Sequence, residues 1–123
     1  MDSTSQRSDV EQLGHVTLPA SASHFEVHVE RGVDAAVWAR FDLAAADVDG
    51  FLASAGYVDL STSRRAVENW HLPTKAVWWV PDSISSFRSG RIRRENSKPR
   101  YAGHILVSGD GDPRTIYLFV TGL

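Results

Sequence analysis

Strict apolar–polar alternation between His24 and Leu43 limits the fold of this chain more than any other feature. From His24, Phe25, Val27 and Val29 fall on one side and His24, Glu26, His28 and Glu30 on the other, the period of a half-buried strand. Arg31-Gly32-Val33-Asp34 reads as a turn, and Ala35 to Leu43 alternates again, with Val37, Ala39, Phe41 and Leu43 opposite Trp38, Arg40 and Asp42. These two runs predict a hairpin. A second pair, Tyr101 to Val107 and Thr115 to Thr121, flanks Ser-Gly-Asp-Gly-Asp-Pro-Arg, where glycine permits positive φ and Asp-Pro favours a turn. Two hairpins call for an antiparallel sheet with helices covering one face.

Between the hairpins, Ala44 to Ala55 places Val48, Phe51, Leu52 and Ala55 at helical spacing, and Gly56 stands where a helix would stop. Gly50 weakens that helix by about 1 kcal/mol. Ser61 to Trp70 is a candidate second helix, ended by Pro73, and Lys75 to Val80 reads as a buried strand closed by Pro81. Ser83 to Lys98, with Gly90 and many polar residues, reads as a loop with a helical turn at Ser83 to Ser89. The expected fold class is α+β: an antiparallel sheet of about five strands with one or two helices packed on one face. Residues 1–17 are polar and aperiodic and read as a flexible tail, leaving 18–123 as a single α+β domain. A 42% hydrophobic share with five Phe, three Tyr and four Trp supplies the core for it.

Several chemistries are excluded or weakly supported. The chain has no cysteine, which removes disulfides, thiolate nucleophiles and Cys-based metal sites. No apolar run approaches the roughly 20 residues of a membrane-spanning helix, so no transmembrane segment is expected and the chain reads as soluble. His24, Glu26 and His28 share a strand face, but the two histidines would lie about 13 Å apart and could not chelate together. Asp110-Gly111-Asp112 lacks the later acid of a calcium loop and reads as a turn. Ser108, His104 and Asp110 carry no nucleophile-elbow motif. Neither a cofactor, a metal site nor a catalytic residue is assigned. An enzyme remains the third reading, requiring His71 or His104 to meet a carboxylate in a pocket.

The charge distribution gives the functional reading. Arg88, Arg91, Arg93, Arg94, Lys98 and Arg100 crowd thirteen residues that hold one acid, Glu95, whereas the whole chain has a net charge of −2. Such a cluster needs solvent or something negative beside it. One account lays it across the chain's own acidic strand face at Glu26 and Glu30. The preferred account makes it a basic loop that binds a protein or other anionic partner, together with Tyr101 and an exposed tryptophan, Trp79. Consecutive Trp78 and Trp79 would point to opposite sheet faces, and Trp38 falls on the polar side of its strand. The alternative partner is nucleic acid, with Tyr101 and Phe87 stacking on bases. The overall acidic balance runs against it.

Phe25-Glu-Val-His-Val, Ala46-Asp-Val-Asp-Gly-Phe-Leu, Trp78-Trp79-Val-Pro and Ile116-Tyr-Leu-Phe-Val-Thr-Gly together resemble small actinobacterial proteins of unknown function, many of them predicted lipoproteins. The resemblance spans Leu18 to Leu123 and implies a bacterial interaction or accessory protein. Its motifs are structural, and no activity transfers with it. The chain departs from a lipoprotein precursor in having no signal segment or lipid-accepting cysteine. If Met1 stands in place of a lipid-bearing cysteine, Asp2 to Gln12 would be a membrane tether; if Met1 is native, a cytoplasmic location is expected.

Overall fold

The structure, a computed structural model, describes residues 3–32, 35–57, 60–62, 78, 84, 86–96, 98, 100–109 and 111–122. Its elements are α1 (Ser3–Gly14), β1 (Ser23–Glu30), β2 (Ala36–Leu43), α2 (Val48–Ala55), β3 (Phe87–Arg94), β4 (Tyr101–Ser108) and β5 (Arg114–Gly122), with a short 3-10 turn at Ala45–Asp47. All five strands form one antiparallel sheet in the order β1-β2-β5-β4-β3. The expected α+β class is therefore the observed one. Both predicted hairpins form, and they meet in the centre of the sheet, where Trp38 of β2 sits opposite Phe119 of β5.

One sheet face carries the main core. Val37, Ala39, Phe41 and Leu43 of β2 are fully buried with Ile105, Val107, Ile116 and Leu118. The predicted stripe of α2, Val48, Phe51, Leu52 and Ala55, closes over them. Gly56 ends α2 at φ 92°, a left-handed conformation that favours glycine. Its N–H donates to Ala53 O and the N–H of Tyr57 donates to Leu52 O, a doubly bonded helix terminus that fixes where Tyr57 enters the core.

Three expectations are corrected. Within the stretch expected to be a flexible tail, Ser3–Gly14 is helical, and Val10 is fully buried in the same core. Arg7 Nη2 donates to the carbonyls of Leu18 and Pro19 at 2.8 Å each, and Glu11 accepts from the Leu18 N–H at 2.9 Å. These bonds explain how so polar a helix docks with only Val10 and Leu13 as apolar anchors. Second, the segment read as a loop after Ser83 contains β3. Its residues alternate although Phe87 and Ile92 are its only large apolar side chains, because an edge strand needs little burial once β4 supplies its hydrogen bonds. Third, β1 and β3 occupy opposite edges of the sheet, so the basic cluster does not lie across Glu26 and Glu30.

The predicted second helix falls largely outside the described residues; Ser61, at its start, instead pairs with Ser89 on the outer edge of β3, through bonds of 2.8 and 2.7 Å. Of the Lys75 to Val80 strand only Trp78 is described, in a turn. No helix among the described residues is long and apolar enough to cross a membrane.

Candidate anion-binding site

Strand alternation divides the basic cluster between the two faces of the sheet. Arg88, Ile92 and Arg94 share the helix-covered face, whereas Ser89, Arg91 and Arg93 share the opposite face with Phe87. Arg88 reaches Asp49 of α2 at 3.5 Å in an exposed pair. Arg94 lies against Gly56 at the C-terminus of α2, where a cation complements the helix dipole. Both are thus occupied at the joint between α2 and β3. Lys98 and Arg100 are exposed in the connection to β4.

The two arginines on the other face are placed differently. The side chain of Arg91 has no hydrogen bond or ion pair among the described residues. Among the described residues Arg93 meets only Glu95, at 3.1 Å, and both side chains are well exposed, so that pair contributes little. Cross-strand register sets Arg91 beside His104 and Arg93 beside Ala102. The four residues, with Ile92, line a cavity of about 480 Å³. A smaller cavity of about 220 Å³, lined by Gly56, Tyr57, Leu60 and Arg91 to Arg94, lies along the same edge. Two guanidinium groups two residues apart on one strand face, about 7 Å from one another at their Cα atoms, suit an anionic group held between them.

Behind these arginines the sheet face is aromatic. His104 stacks on Phe119 with ring centroids 5.8 Å apart, Phe119 meets Trp38 in a tilted contact at 4.8 Å, and Trp38 meets His28 at 5.5 Å. Trp38, expected on a polar face, is only 3% exposed, because Trp78, Ile84 and Phe87 pack with it in a second apolar cluster.

The other sequence candidates are placed apart from this site. Tyr101 turns to the helix-covered face, where its ring stacks on His15 at 4.0 Å and packs against the main core. Register forces that placement, since Tyr101 pairs with Arg94 and not with the exposed arginines. Phe87 belongs to the second cluster. Trp79, His71 and Asp110 lie outside the described residues. His24 sits at φ 56° in a bulge and pairs with Asp42 at 3.2 Å, whereas His28 contacts Glu30 at 3.4 Å, so the His-x-Glu-x-His face does not converge. Asp112 accepts from the Ala45 N–H at 3.0 Å, a structural use of the turn expected there. No group of three metal-ligating side chains occurs among the described residues.

Two features escaped the sequence reading: the cavity beside Arg91, Arg93 and Ala102, and the His104–Phe119 ring contact. Both depend on cross-strand register, and spacing along the chain carries no signal for it. Comparison with protein-family models, curated proteins and solved structures found no match.

Proposed function

We propose that the protein is a non-catalytic binding module that holds the acidic surface of a protein partner on the β3 edge, with Arg91 and Arg93 as the principal contacts. The observation that carries this reading is the separation of charge across the sheet. Glu26 and Glu30 stand on one edge strand and the arginines on the other, with three strands between them. Intramolecular neutralisation by that acidic face is geometrically barred. Arg88 and Arg94 are tied to α2, which leaves Arg91 and Arg93 exposed on the edge strand beside a cavity. Exposed cations of this kind raise association rates and set specificity more than they raise raw affinity.

The same groups would attract nucleic acid, and the aromatic row beside them is the observation that favours this second reading. Amide shift mapping separates the two. An acidic peptide of glutamates, heparin and single-stranded DNA are titrated at low and at physiological salt. The proposal expects shifts confined to Arg91, Arg93 and Ala102 that persist with the peptide at physiological salt. Shifts that persist only with DNA would move the assignment to nucleic acid; loss of all shifts with salt would reject both.

A further inference from the structure

The two edges of the sheet are covered unequally. On the outer side of β3 the backbone of Ser61 pairs with Ser89, whereas among the described residues no backbone group bonds to β1 on the side away from β2. Such a row of unmet N–H and C=O groups is a template for another strand. The side chains of β1 suit one. Phe25, Val27 and Val29 pack against the main core and are only half-buried, so each keeps apolar surface that a neighbouring strand would cover. On the other face Glu26 has no hydrogen bond or ion pair among the described residues. His28 uses only Nε2, towards Glu30 at 3.4 Å, which leaves Nδ1 for a further partner.

We propose that β1 pairs antiparallel with β1 of a second copy of this chain, about a two-fold axis normal to the sheet and centred on Val27. Such an axis keeps same-face residues opposite each other, so only registers centred on a residue are allowed. Centring on Glu26 sets that carboxylate against its own copy, and centring on His28 sets Glu26 against Glu30. Centring on Phe25 runs into the bulge between Ser23 and Glu26, where His24 meets Asp42 at 3.2 Å, and centring on Val29 sets Val27 against Arg31, beyond the strand. The Val27 register sets Glu26 against His28 of the second copy, and by symmetry His28 against Glu26, with Phe25 opposite Val29 on the apolar face. Main-chain hydrogen bonds and the covered apolar flanks supply the affinity; the exposed Glu–His pairs contribute little energy and select the register. Two five-stranded sheets then become one continuous sheet with a β3 strand at each outer edge. The pairing is independent of the partner-binding reading, which uses that opposite edge.

The test is sedimentation of the full 13.6 kDa chain at rising concentration and physiological salt, for the unmodified chain, Glu26→Lys, His28→Glu and an equimolar mixture of the two variants. The unmodified chain is expected to form a dimer of twice the chain mass. Glu26→Lys removes the acceptor from both cross-copy pairs, and His28→Glu sets carboxylates against each other in both, so either variant alone should dimerise about tenfold more weakly. In the mixture the introduced lysine of one copy meets the introduced glutamate of the other, and the remaining Glu26 meets the remaining His28. The mixture should therefore dimerise close to the level of the unmodified chain, and that recovery also shows that both variants fold. A dimer that neither variant weakens, or a mixture no stronger than the variants alone, overturns the inference. A monomer at every concentration overturns it too and leaves the bulge and the charges of β1 as protection of an exposed edge.

Discussion

The hydroxyl of Tyr57 lies directly over Gly103, in the space a Cβ at that position would occupy. Tyr57 is 3% exposed and its hydroxyl has no hydrogen-bond partner among the described residues. Burial, reinforced by the neighbouring Tyr101 and opposed by Arg94, holds its phenol well above the usual tyrosine range. Gly103→Ala is therefore expected to destabilise the fold by roughly 1–3 kcal/mol through overpacking. Tyr57→Phe removes a buried polar atom that gains nothing, and should be neutral or slightly stabilising. In the double variant Tyr57→Phe should recover part of the Gly103→Ala loss, because the two residues are in contact. Strictly additive values in denaturant unfolding would show that they do not touch.

Helix α1 should behave as part of the core. Val10→Ala is expected to cost roughly 1.5–3 kcal/mol, the value for a fully buried side chain. Arg7→Ala should cost about 1–3 kcal/mol by leaving the carbonyls of Leu18 and Pro19 without their charged donor. Chemical denaturation measures both; changes within error would return Ser3–Gly14 to the status of a tail.

The stacked pair of His15 and Tyr101 makes stability depend on pH. Burial pushes the His15 imidazole below its ordinary value of 6.5. The unfolded chain then binds the proton more readily than the folded one, so stability rises with pH through this range. The contribution of neutral His15 is fully present above pH 6.5 and is lost as pH falls below it. His15→Asn, which tolerates the left-handed φ of 55°, should lower the melting temperature at pH 7.5 and flatten its decline toward pH 5. An unchanged pH slope in the variant would assign the dependence to other groups.

The first hairpin and α2 were legible in the sequence because their side chains are periodic, and the second hairpin because two β-rich runs flank a turn of glycine and Asp-Pro. Val37, Ala39, Phe41 and Leu43, and Val48, Phe51, Leu52 and Ala55, all reached the core face assigned to them. Strand β3 was hidden for a physical reason: at an edge, with arginine on both faces, it has no apolar period to display. Helix α1 was hidden because side-chain bonds from Arg7 and Glu11 do the work that an apolar stripe usually does. The six bases of the cluster were visible as a group, but their division into Arg88 and Arg94 against Arg91 and Arg93 required the register with β4. Arginines on a sheet edge also deter unwanted strand pairing, a role that leaves the same sequence signature.

Charge-matched variants distinguish binding from that protective role most directly. Calorimetry at physiological salt compares the acidic peptide's affinity for the unmodified chain, Arg91→Gln, Arg93→Gln and Arg31→Gln, the last removing an equal charge next to Asp9, away from β3. The expected result is about a tenfold loss, near 1.4 kcal/mol, for either β3 variant and no loss for Arg31→Gln. Absent binding, or equal losses in all three variants, would contradict the account and leave the β3 arginines as guards of a sheet edge.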